Sequence, residues 1–179
     1  MEAEAQSPSI ESGVPTVDLI ALEEIRRLKY RYARTLDLKL WDEFADVFTE
    51  DAVAAYGTKA YQEPLTLTGR DEIVGFMREN LGSGVTTVHF CSQPEIEVDG
   101  DTASGTWCFE DTVIATEHRV VIKGSAFYED EYRRCADGSW RISRIGYQRT
   151  YEAMLSLEDL PSFRMLANRW AEPPAAVPH

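Results

Sequence analysis

Residues 86–100, TTVHFCSQPEIEVDG, open the half of the chain that decides the fold. Apolar and polar residues alternate here and run into the turn pair Asp99-Gly100, as in a half-buried strand ending at a hairpin. Three further segments repeat the pattern: TASGTWCFEDTVIA at 102–115, RVVIKGSAFYEDEYRR at 119–134 and SWRISRIGYQRTYEA at 139–153. The turns between them contain DGD, TEH and ADG. A period of two sustained over four long segments predicts an antiparallel sheet.

Upstream, the hydrophobic period becomes that of a helix. In VDLIALEEIRRLKYRYARTL, Leu22, Ile25, Leu28, Tyr32 and Leu36 recur at intervals of three and four, with Asp18 placed to cap the first turn. LWDEFADVFTED reads as a second helix carrying Trp41, Phe44, Ala45 and Phe48 on one face, and DAVAAYG as a short strand. Gly69 opens a third helix, RDEIVGFMREN, with Ile73, Phe76 and Met77 inward, and SLEDLPSFRMLANRW is expected to form a last short helix. Helices first and strands afterwards give an α+β fold, in which N-terminal helices pack on one face of a curved sheet and leave a cone-shaped pocket between them. A single domain is expected over residues 16–170, with disordered tails at 1–15 and 171–179.

The 179 residues carry 18 basic and 31 acidic side chains, a net charge of −13. Such a surface disfavours nucleic acid and anionic membranes as partners. No apolar run approaches the ~20 residues of a membrane span, and the N-terminus lacks the basic and apolar stretches of a secretory signal. Cys91, Cys108 and Cys135 show neither a CxxC nor a metal-ligand spacing, so no zinc site is expected, and reduced thiols in a cytoplasm are.

Alternation also identifies polar residues on apolar faces. Ala103, Gly105, Trp107, Phe109, Asp111 and Val113 share one face of a strand, and a buried Asp111 needs a partner. Arg149 offers one, on a face with Ile145, Tyr147 and Tyr151; the pair is either a wall support or part of a reaction site. Tyr32 lies five residues before Asp37, so both can face one cavity, although an Asp at a helix end also caps the next helix. His89, one of three histidines, shares its face with Thr87 and Cys91. Alone it reads as a core histidine; with an acid to orient it, it reads as a base.

The order of LKYRYARTLDLKLWDEFADVFTEDA, TTVHFCSQPEIEVDGDTASGTWCFEDTVI, GSAFYEDEYRR and WRISRIGYQRTYEA resembles the SnoaL-like branch of the nuclear transport factor 2-like superfamily, over about residues 20–155. Within that branch it is most similar to the bile acid 7α-dehydratases, with scytalone dehydratase and lindane dehydrochlorinase as more distant relatives. The resemblance implies Tyr32, Asp37, His89, Asp111 and Arg149 as catalytic residues, with Trp107, Phe109, Tyr147 and Tyr56 against the substrate. It implies a cofactor-independent dehydratase acting on a small hydrophobic hydroxylated ketone, steroid- or polycycle-like, and a homo-oligomer, a trimer before a dimer. Isomerase, dehydrohalogenase, epoxide hydrolase or a non-catalytic binding or subunit module are the alternatives that the same cone could house.

Overall fold

The computed structural model describes residues 18–58 and 63–170. The tails expected at either end therefore lie outside the described residues. Helices α1 (Leu19–Asp37) and α2 (Trp41–Ala45) lead into strands β1 (Phe48–Gly57) and β2 (Leu65–Thr68), then helix α3 (Arg70–Asn80). Four long strands follow: β3 (Val85–Asp99), β4 (Thr102–Ala115), β5 (Val120–Arg134) and β6 (Trp140–Ser156). They form an open six-stranded sheet in the order β2-β1-β6-β5-β4-β3. Pairing is antiparallel except between β1 and β6, which run parallel. The α+β architecture expected from the sequence is the one observed.

Helix α1 begins where Asp18 accepts a hydrogen bond from the Ala21 N–H at 2.9 Å, satisfying one of the orphan donors of the first turn. It ends at Asp37, and Lys39 takes a left-handed φ of 55° that turns the chain away. Its buried stripe holds Ala21, Ile25, Leu28, Lys29, Tyr32 and Leu36, which pack onto the inner face of the sheet. Gly69 opens α3 at φ 94°, a conformation glycine adopts without strain.

Four expectations are corrected. The second helix stops at Ala45 because Val47 and Phe48 are fully buried and enter the sheet, with Val47 O accepting from the Ile142 N–H at 2.9 Å. Strand β2, not foreseen, pairs with β1 from Val53↔Thr68 to Tyr56↔Leu65. No helix forms over 157–170: β6 runs on to Ser156, and the next residues make turns around Pro161 with Leu166 exposed. A bulge at Thr150, where Arg149 faces Ala126 and Tyr151 faces Ser125, turns Tyr151 off the inner face. Among the described residues no helix is long and apolar enough to cross a membrane.

Candidate active site

The register of the long strands sorts the inner face into rows. Above the row of Asp130 come Trp107, Tyr128, Tyr147 and Tyr56, paired across β4, β5, β6 and β1. Cys91, Phe109, Ala126 and Arg149 form the next row. Then come His89, Asp111, Gly124 and Glu152, and at the rim Thr87, Val113, Ile122 and Met154. The inner face thus passes from aromatic to ionisable to apolar.

Asp37, at the end of α1, reaches the first strand of this face. Its Oδ2 accepts from the His89 backbone N–H at 2.8 Å, and its Oδ1 accepts from the Thr87 hydroxyl at 2.8 Å. Oδ1 also lies 2.7 Å from His89 Nδ1. A carboxylate already accepting two bonds takes the third as an acceptor too, so Nδ1 carries a proton, and in the neutral ring the lone pair lies at Nε2. The capping alternative for Asp37 does not occur: α2 is preceded by Leu40 and has no side-chain cap. The His89 and Asp37 side chains are 12% and 20% exposed.

His89 stands directly opposite Asp111 across the β3–β4 ladder. Asp111 is held by Arg149 in a two-pronged pair, Nη1 to Oδ1 at 2.5 Å and Nη2 to Oδ2 at 2.7 Å. Burial weakens the guanidinium's hold on its proton, but the bonds to Asp111 outweigh this and keep it above its ordinary value. Gly124 makes room for the pair: a Cβ there would sit 3.0 Å from Arg149 Cζ, 3.1 Å from Asp111 Oδ1 and closer still to Arg149 Nη1. A Gly124→Ala variant is expected to lose ~1–3 kcal/mol of unfolding free energy in urea titrations, as overpacked sites do. An unchanged midpoint would mean that the guanidinium shifts freely.

Tyr32 is buried, its hydroxyl 3.5 Å from that of Tyr128. Tyr128 stacks on Phe109 with centroids 4.2 Å apart, and Phe109 meets Tyr147 edge-on at 5.1 Å. Tyr56 packs on Tyr147 at 5.4 Å. Arg149 lies over Phe109 and Tyr147, so one continuous wall links Tyr32 to Asp111 and His89. Burial raises the phenols of Tyr32, Tyr56 and Tyr128 and pushes Tyr147 up to about 12, so all four remain hydrogen-bond donors at neutral pH. Trp107 lies deeper and fully buried, its indole N–H donating to the Tyr132 hydroxyl at 2.8 Å.

Sequence reading missed a second buried ionic pair. Lys29 Nζ donates to Asp130 Oδ2 at 2.7 Å with both side chains fully enclosed, and Tyr132 donates to the same oxygen at 2.8 Å. The ammonium lies 3.4 Å from the centre of the Tyr128 ring. Burial pulls the lysine down and pushes the aspartate up. The signal was present: Lys29 falls between Ile25 and Tyr32 on the apolar stripe, and Asp130 continues the alternation of Ala126 and Tyr128. Cys91 is also pushed up, to about 11, by burial, which leaves it a neutral thiol rather than a nucleophile.

Among the described residues no group of three His, Cys, Asp or Glu side chains is arranged to hold a metal. A groove of about 770 Å³ lies on the other face of the sheet along Glu97, Ser104, Phe127, Glu129, Glu131 and Arg144; neither Asp37, His89, Asp111 nor Arg149 lines it.

Comparison with known proteins agrees with this fold. The SnoaL-like domain pattern matches residues 17–146. An uncharacterized protein of Mycobacterium tuberculosis is 30% identical over 134 residues, 74% of this chain and 87% of its own. A protein provisionally named a scytalone dehydratase, from Novosphingobium aromaticivorans, superposes with a TM-score of 0.67 at 24% identity, covering 75% of this chain and 87% of that one. A type-3 hexachlorocyclohexane dehydrochlorinase (LinA) from Novosphingobium barchaimii superposes with a TM-score of 0.66 at 19% identity, covering 76% and 91%. These two structures share the fold with this chain.

Proposed function

Because the chain belongs to the SnoaL-like domain family, we propose that it is a cofactor-independent dehydratase that eliminates water from a hydroxylated, polycyclic ketone of steroid-like shape. One observation carries this reading: the Asp37–His89 pair presents an imidazole oriented through Nδ1, with Nε2 unengaged by any other side chain described at the site. That is the arrangement of a base whose tautomer is set by a carboxylate.

In this mechanism Nε2 takes a carbon-bound proton beside the carbonyl system, and the released electron pair forms the new C=C bond. The leaving hydroxyl departs with the proton returned by the imidazolium, as water, and His89 is neutral again. Asp37 stabilises the imidazolium between these steps. Tyr32, its hydroxyl 3.5 Å from that of Tyr128, donates a hydrogen bond to the substrate oxygen where negative charge gathers. Phe109, Tyr147, Tyr56 and Trp107 form the apolar wall and its backing, while Asp111 and Arg149 keep the wall polar beside the dyad. The same base would serve elimination of a halide, so the leaving group is a property to be measured on paired hydroxy and chloro substrates.

The test is direct. Purified protein incubated with a 7-hydroxy-3-oxo-4-ene steroid is expected to produce the extended dienone, seen by its longer-wavelength absorbance, with loss of 18 mass units, the mass of water. Return of this and related hydroxyketones unchanged would defeat the reading. Tyr32→Phe is expected to lower kcat by about 10²-fold with the fold intact, the usual cost of one oxyanion donor. A rate within twofold would assign Tyr32 to packing alone. In the same reading the enzyme is a cytoplasmic homotrimer, with a dimer as the alternative, and sedimentation velocity separates the two.

A further inference from the structure

An arginine beside a catalytic dyad usually suggests an anchor for a carboxylate or phosphate. Here the surroundings of Arg149 argue otherwise. Two of its nitrogens are bound to Asp111, and its Nε lies 3.2 Å from Oε2 of Glu152. The Arg149 and Asp111 side chains are 8% and 3% exposed, whereas Glu152 keeps 23%, so the partner nearest to solvent in this group is an anion. The bulge at Thr150 creates the contact. By placing Glu152 rather than Tyr151 opposite Gly124, it brings the carboxylate into the same row as Asp111 and His89.

Charge along this row is one-sided. Among the described residues, Asp37, Asp111 and Glu152 stand along it beside the guanidinium of Arg149. Among the described residues two other cations approach the wall, and neither reaches Arg149 or Glu152, although Lys39 lies close enough to Asp37 to feel its charge. Lys39 donates to Val85 O at 2.9 Å and lies over the Trp170 ring, and Lys29 is enclosed with Asp130. We infer that Glu152 is a specificity residue: by over-neutralising Arg149 it makes the site accept substrates uncharged at their reacting end and reject carboxylates of the same shape. The inference rests on the reading of this wall as the substrate wall. It narrows the substrate to a neutral ketone or alcohol at the reacting end, whatever charge a distant tail carries.

The test uses binding, so it does not depend on turnover. Methyl 2-naphthyl ketone and 2-naphthoate, alike in size and different in charge, are titrated into the full chain by calorimetry at neutral pH. The wild type is expected to bind the ketone about tenfold or more tightly than the carboxylate, since a like charge at contact distance in a half-buried site repels strongly. Glu152→Gln keeps the shape and removes the charge; it is expected to strengthen naphthoate binding severalfold and leave ketone binding within about twofold. Glu152→Asp is expected to restore the discrimination. Equal binding of the two ligands by the wild type, failure of the ketone to bind, or a naphthoate affinity unmoved in Glu152→Gln would each overturn the inference. Should the steroid assay fail while this selectivity holds, the dehydratase reading falls and the charge selection stands.

Discussion

Replacing His89 by Gln is expected to lower the rate of the proposed water elimination by ~10²- to 10⁴-fold while leaving the protein folded, the range in which a positioned general base contributes. Glutamine keeps a side-chain amide that can still donate to Asp37, so the end of α1 stays tethered to β3. What disappears is the lone pair at Nε2. Asp37→Asn acts through the same group. The asparagine amide can donate to Nδ1, which then favours the tautomer with its proton at Nε2, where it blocks proton removal. Combining the two changes is expected to add little to the larger single effect if both disable one proton-transfer unit. Initial rates for the four proteins at one substrate concentration above KM, with circular dichroism as the folding check, test this. Multiplying effects would mean that Asp37 and His89 act separately.

The second large effect is on stability. Lys29→Met alone leaves the Asp130 carboxylate enclosed with no cation, and removing one partner of a buried pair costs ~3–5 kcal/mol. Tyr132 would still donate to Asp130, but one neutral hydroxyl does not replace an ammonium. Asp130→Asn leaves the ammonium without its counter-charge, relieved in part by the Tyr128 and Tyr32 rings beside it and by the amide oxygen. Combining Lys29→Met with Asp130→Leu removes both charges and is expected to recover most of the loss, since apolar replacement of a buried pair is often neutral. Urea unfolding of the two single variants and the double variant measures this. Single variants within about 1 kcal/mol of wild type would show that water reaches the pair.

How far the sequence could be read follows from which features are local. The long strands were legible because alternation over fourteen to seventeen residues has one interpretation. Helix α1 was legible from its stripe and from Asp18. The misread second helix is a tertiary effect: Phe44 and Phe48 are spaced as on a helix, but Phe48 pairs with Ile142 and becomes strand. Asp37 had two local roles open to it, and only the approach of β3 to the end of α1 selects the one in which it holds His89.

The opposition of His89 and Asp111 is a register property. It depends on the bulge between Ser92 and Glu95, where Gln93 takes φ 50° and Pro94 is accommodated without a ladder hydrogen bond. Glu152 was invisible for a related reason, because counting by twos from Arg149 lands on Tyr151. Lys29 and Asp130 are 101 positions apart. Each could be flagged as a charge on an apolar face, but their pairing is a fact of the fold.

The central claim is that His89 removes a carbon-bound proton. It is tested most directly with a 3-oxo-4-ene steroid that lacks the leaving hydroxyl, incubated in D₂O and followed by proton NMR. Wild-type protein is expected to exchange the hydrogen on the carbon that would lose its proton, well above buffer, and His89→Gln to exchange it no faster than buffer. Equal exchange by the two proteins, or none by the wild type, would contradict the claim.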